Sequence, residues 1–222
     1  LSLAYRSEFV LSIISFPLHF MVLVWIWSAV YSNMPGDAIQ GYTLSGLISY
    51  LIISSLLSTI TYDDVGDHLE QDIRLGNFLQ YLIKPFSFIK LAFINKMAHR
   101  LFALLIEVLP VLAIILYFYG HYFILGNVLL FIPSLLMAFV LAYLLNFLIG
   151  LVAFWLIKAR TMIWLLRFFT DMASGAFMPV AFFPEVVRTV LAFLPFQYII
   201  YIPTNIYLGL MPLDFSLDGA YL

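Results

Sequence analysis

The sequence predicts an all-α polytopic membrane protein. Five transmembrane helices are expected, followed by an extracellular re-entrant segment of broken helices, with a sixth span beyond Leu222. Two observations carry this reading. From Val108 to Ile157, fifty consecutive residues contain no Asp, Glu, Lys or Arg, enough for two crossings at about 20 apolar residues each. Across the whole chain 64% of residues are hydrophobic and 10% charged, against about 45–50% and about 25% in soluble domains. The mean hydropathy of +1.07 agrees. Residues 1–222 then form a single transmembrane domain, with no room for a separate soluble one.

The spans follow from the windows between charges. The first runs from about Phe9 to Tyr31, between Arg6/Glu8 and the polar turn Asn33-Met34-Pro35-Gly36-Asp37. The second, about Leu44 to Tyr62, stops at Asp63-Asp64, and the third is expected from about Leu101 to Tyr119. The fourth, about Val128 to Ile157, is longer than one perpendicular crossing and must tilt or extend past the bilayer. The fifth occupies about 161–177 and breaks near Ser174-Gly175. From Thr189 to Leu213 the chain is uncharged and long enough to cross, yet Pro195, Pro203 and Pro212 interrupt it, within the stretch 176–210 and just beyond. Proline removes a backbone donor and breaks helices, and a broken backbone at membrane depth must pack on protein. That stretch is therefore read as re-entrant; a complete sixth crossing within it is the alternative.

Orientation comes from the basic residues. Arg74, Lys84, Lys90, Lys96 and Arg100 lie between spans two and three, Lys158 and Arg160 between spans four and five, and Arg6 before span one. The connectors 32–43 and 120–127 carry none. The positive-inside rule makes the basic connectors and the N-terminus cytoplasmic, in a multi-pass protein of the cell membrane. The net charge of −2 argues against a nucleic-acid partner, and the absence of cysteine removes disulfides and thiolate chemistry.

The charge-dense part of the chain is Asp63 to Phe78, with five acids and Arg74, continuing into Phe78-Leu79-Gln80-Tyr81-Leu82-Ile83-Lys84-Pro85. Such runs are usually solvated loops. Here Ile73, Leu75, Phe78, Leu79 and Leu82 are interleaved with the polar residues, which suits a short amphipathic helix lying on the membrane or docking a partner.

Gly41-Tyr42 before span two, Asp72-Ile73-Arg74-x-Gly76, and Tyr81-Leu82-x-Lys84-Pro85 occur in an order and spacing that resemble the ABC type-2 permeases. The similarity is to the branch with a separate ATPase subunit. Leu3-Ala4-Tyr5-Arg6-x-Glu8-Phe9 is similar to that branch, as is Gly175-x-x-x-Pro179 … Phe183-Pro184 … Leu194-Pro195-Phe196 … Tyr201-x-Pro203 … Tyr207-Leu208-Gly209. The resemblance implies the membrane half of an exporter, paired with a second permease, identical or related, among membrane lipids. ABC ATPase subunits would bind beneath it and carry the ATP and Mg, since this chain holds no cofactor. It further implies that residues 63–85 act as the coupling segment. Asp67, Glu70, Asp72 and Arg74 would then be polar contacts to the ATPase and Leu75 and Phe78 apolar anchors. Gly76 would allow a tight turn, and Lys84-Pro85 would end the segment. The chain lacks a GxxxxGK[ST] phosphate loop, so it is not expected to hydrolyse ATP itself.

Ionisable groups inside a span are costly and mark function or a pairing partner. Glu107 falls in span three, while Arg167 and Asp171, four apart in span five, share one helical face. They are read either as an ion pair, Arg167 with Asp171 or with Glu107, or as the lining of a polar path. Aromatic and thioether side chains gather in the broken outer stretch: Met172, Phe177, Met178, Phe182, Phe183 and Phe196. They form a candidate outer gate, with plain packing as the alternative. No His, Asp or Glu spacing suggests a resident metal. Two other functions remain open on the residues alone: an ion-coupled secondary transporter using Glu107, Arg167 and Asp171, and a lipid-modifying intramembrane enzyme.

Overall fold

Helix α1, Phe20–Ser32, turns Phe20 and Val24 into the protein, with Leu23, Trp27 and Tyr31 beside them. In this computed structural model residues 18, 20–83, 87–103, 109–124, 126–156 and 159–210 are described. The chain leaves α1 through a small hairpin that the sequence did not announce. Strand β1, Ala38–Ile39, pairs antiparallel with β2, Tyr42–Thr43. Gln40 and Gly41 between them both have positive φ, 47° and 84°, as the tightest hairpin turns require.

Thr43 then caps helix α2, Leu44–Thr61, its hydroxyl accepting from the Gly46 amide at 3.2 Å. Leu47, Ile48, Tyr50, Leu51, Ile52 and Leu57 are all buried. A helix apolar on every side belongs in the middle of a bundle, and α2 lies there, against α1, α7 and α10. At Tyr62 the chain bends into α3, Val65–Arg74. Gly76, at φ +74°, closes α3, and a short α4, Leu79–Leu82, follows.

Helix α5, Phe88–Ala103, begins well before the third expected span. Lys90 and Lys96 lie in its first part, ahead of the charge-free window. Then come α6, Leu109–Tyr119, with a 3₁₀ turn to Tyr122, and α7, Val128–Gly150, extended by a 3₁₀ turn over Leu151–Phe154. Helix α8, Arg160–Ser174, ends on Gly175 in the left-handed region. The segment expected to be broken is broken: a 3₁₀ turn Val180–Phe182, α9 Glu185–Ala192, a 3₁₀ turn Pro195–Tyr198 and α10 Tyr201–Leu208.

Helices occupy each of the five windows in which spans are expected. Among the described residues, two stretches are by themselves long and apolar enough to cross a membrane, Leu44–Arg74 and Val128–Phe154. The first of these includes the bend at Tyr62. Phe20–Ser32 and Leu112–Tyr122 are shorter apolar helices.

What positions the functional region is the seat of α3. It lies against α7, the 3₁₀ turn after it and α8, with Val65, Gly66, Leu69 and Glu70 buried. The approach is set by two glycines. A Cβ on Gly150 would lie 2.6 Å from the Gly66 Cα, and one on Gly66 would lie 3.0 Å from the Asn146 carbonyl oxygen. No side chain fits between these backbones. Gly150→Val is therefore expected to lift α3 off α7 and lower stability by about 1–3 kcal/mol, the usual cost of overpacking. Thermal unfolding of the detergent-solubilised protein measures this; an unchanged melting temperature would show that the two helices are not held in contact.

Candidate functional site

The turn between α2 and α3 is held by one carboxylate. Asp63 Oδ1 accepts from the Val65 amide at 2.8 Å, and Oδ2 accepts from Lys96 Nζ of α5 at 2.7 Å. Both side chains are buried, Asp63 at 1% exposure and Lys96 at 7%. The ammonium also sits over the rings of Phe139 and Tyr143, 4.4 and 5.3 Å from their centroids, where ring faces attract a cation. Burial pushes the Asp63 carboxyl above its usual range, and the Lys96 charge pulls it back.

Along α3 the charged side chains divide between inside and outside. Asp67 Oδ2 meets Arg167 Nη2 of α8 at 2.8 Å. Glu70, at 4% exposure, meets Arg74 Nε at 3.1 Å and Arg160 Nη2 at 3.9 Å. Asp67 and Glu70 thus fasten α3 to the bundle. Arg74 is bound to Glu70 while partly exposed, and Asp72 lies beside Tyr81. Burial, and then the Asp72 carboxylate, push the Tyr81 phenol above its ordinary range.

The apolar residues divide the same way. Phe78 is packed edge-on against Phe88 and Phe154, at 5.5 and 5.3 Å between centroids. Leu75, Leu79 and Ile83 stand exposed at 55%, 67% and 85%. They recur every four residues through α3's end and α4. Lys84 and Pro85 lie outside the described residues.

Arg167 also donates from Nε to Asn146 Oδ1 at 3.4 Å and lies over the Tyr62 ring at 5.7 Å. Its contact at 2.8 Å is with Asp67, and its charge also acts on Asp171. Glu107, the other proposed partner, lies outside the described residues. Helical spacing places Arg167 and Asp171 on one face, and it does so correctly. It carries no information about which connector folds back onto that face, which is why Asp67 was not foreseen as the partner.

Two cavities meet at these residues. A chamber of about 1010 Å³ lies among α2, α3, α5, α7 and α8, with Asp63, Asp72, Lys96, Asn146, Arg167 and Asp171 among its described lining. A smaller hollow of about 370 Å³ on the outer face of α8 is lined by Asp67, Arg160, Trp164 and Phe168. The two share Tyr62, Arg167 and Asp171.

At the other end of the bundle the aromatic residues are tied together by polar bonds. Tyr42 donates to Asn205 Oδ1 of α10 at 2.5 Å, and Tyr50 donates to the Gly175 carbonyl at 2.7 Å. Phe182 packs against Trp27 and Tyr42, and Phe177 against Phe168 of α8. Met172, Met178, Phe183 and Phe196 are half-buried around them. The sequence reading singled out the rings and missed the bonds of Tyr50 and Asn205, which join residues 125 and 163 positions apart. Among the described residues no group of three metal-ligating side chains comes together.

A bundle of apolar helices enclosing a charged chamber defines a membrane protein of transport type. The family model described as ABC-2 family transporter protein matches residues 16–220, and the chain belongs to that family. It is a transport permease, the membrane part of a transport system. No curated protein and no solved structure gives a significant match.

Lys96→Ala would leave the Asp63 carboxylate buried without its cation. Breaking one side of a buried pair costs about 3–5 kcal/mol, so this variant should melt far below the wild type. Asp63→Asn combined with Lys96→Met, which removes both charges, should recover most of the loss. Equal melting of the single and double variants would contradict the pairing.

Proposed function

We propose that the chain is the membrane-spanning subunit of an ATP-driven exporter in the cell membrane. Five spans lie within residues 9–177, the N-terminus is cytoplasmic, and the broken segment 176–210 caps the outer end. A second permease, identical or related, completes the translocation path. ATP and Mg are bound and turned over by separate ABC ATPase subunits, consistent with the absence of a phosphate loop here.

The single observation that carries this reading is the exposed stripe Leu75–Leu79–Ile83. It runs from the C-cap of α3 across the Gly76 turn to the end of α4, next to a helix whose acids Asp67 and Glu70 are turned into the bundle. An amphipathic element laid into a groove presents apolar anchors every three or four residues. The stripe has that spacing, and it lies on the basic side of the membrane, where the ATPase must be. The docking surface is accordingly this apolar stripe, rimmed by Arg74 and Gln80, while Asp67 and Glu70 carry the load onward to α8. Rigid seating of α3 makes the ATPase's motion a motion of the chamber wall.

Leu79→Asp combined with Ile83→Asp tests this. Both side chains are exposed, so the variant should fold as the wild type does. The wild-type chain should co-purify with the ATPase encoded beside it, and the variant should lose it. Retention of the ATPase by the variant would refute the docking surface. Transport that persists without any ATPase would favour ion coupling through Arg167 and Asp171.

A further inference from the structure

The lining of the large chamber has a sign. Asp63 is neutralised by Lys96, and Arg167 by Asp67, at 2.7 and 2.8 Å. Asp64, Asp72 and Asp171 remain on the wall. Asp64 meets His68 at 3.2 Å, Asp72 lies beside Tyr81, and Asp171 lies within reach of the Arg167 charge.

The neutral polar groups lean the same way. Ser55, Thr59 and Thr61 of α2 and Thr170 and Ser174 of α8 line the chamber. Each gives its hydroxyl proton to a carbonyl of its own helix, at distances between 2.6 and 3.0 Å. A hydroxyl has one proton and two lone pairs. With the proton committed, what these five groups offer the chamber is oxygen lone pairs. The larger apolar surfaces are rings: Tyr62, Tyr81, Phe88 and Phe177. Ring faces attract cations, most strongly where water is excluded. The excess of carboxylates, the committed hydroxyls and the aromatic faces are independent features, and all favour positive charge.

We propose that the chamber takes amphipathic organic cations. The charged centre rests against Asp171 and the hydroxyl oxygens of α2 and α8, and the apolar body lies on the rings. The volume of about 1010 Å³ suits a drug-sized molecule. The smaller hollow supplies the way in from the side, because it shares Tyr62, Arg167 and Asp171 with the chamber and opens beside the exposed Trp164. On the described lining an anion would meet four carboxylates, Asp63, Asp64, Asp72 and Asp171, against the two cations Lys96 and Arg167. This proposal rests on the transport reading above and names its substrate class.

The test uses two ions of nearly the same shape and opposite charge, tetraphenylphosphonium and tetraphenylborate. Each is bound, radiolabelled, to the purified full chain in nanodiscs of neutral lipid, with protein-free nanodiscs subtracted. The cation should bind saturably and the borate at least about tenfold more weakly, the scale of one charge-assisted contact. Asp171→Asn should weaken cation binding by a similar factor, and Asp171→Glu should restore it. Equal binding of the two ions, or cation binding indifferent to Asp171→Asn, overturns the proposal. The ATPase co-purification separates the two claims. If the ATPase binds normally while the cation does not, the substrate class falls and the transport reading stands.

Discussion

A carboxylate held between an amide and an ammonium organises one end of this protein. Asp63 begins α3 by accepting from Val65 and anchors α5 by accepting from Lys96. Three elements therefore meet at a side chain that water hardly reaches. Burying charge is expensive unless each oxygen is satisfied, and here both are. The same ammonium is backed by rings of α7. That pair joins α5 to the bend, and Tyr143 donates to the Ile89 carbonyl to hold α5 on α7 as a wall of the chamber.

From this bend the structure builds outward through contacts too close to slide. Gly66 and Gly150 bring α3 and α7 together at the backbone, and Arg167 ties α3 to α8 through Asp67. The far end of α8 is held in turn, because Tyr50 donates to the Gly175 carbonyl. Gly175 accepts this bond in a left-handed conformation that a Cβ would disfavour, and a Cβ would also lie 2.6 Å from the Tyr50 hydroxyl. Tyr42, edge-on to Tyr50, reaches Asn205 of α10. A movement of α3 is thus mechanically joined to α8 through Asp67–Arg167, and the end of α8 to α2 and α10 through Tyr50, Tyr42 and Asn205. Packed interfaces of this kind switch between discrete arrangements rather than deform smoothly.

Much of the plan was legible because charge is so rare. The charge-free windows coincide with α2, α6 and α7, and Pro195 announces a break in the last segment. Gly76 at the end of α3 marks a turn that does have positive φ. What stayed hidden depends on residues far apart in sequence. Periodicity says that Asp67 and Glu70 share a face of α3; it does not say that Arg160 and Arg167 wait opposite. Acids in a charge-dense connector read as solvent-facing, so their burial against Arg160 and Arg167 is not visible in the sequence pattern. The turn at Gln40-Gly41 was equally silent, because glutamine rarely adopts positive φ.

The central claim is that α3 acts on the chamber through the Asp67–Arg167 pair, and a charge-swap cycle tests it most directly. With the ATPase bound, Asp67→Arg and Arg167→Asp should each uncouple hydrolysis from transport in reconstituted vesicles while leaving the ATPase attached. The double swap, which restores opposite charges at 2.8 Å, should recover coupling. Singles that transport normally, or a double swap no better than its parents, would contradict the account.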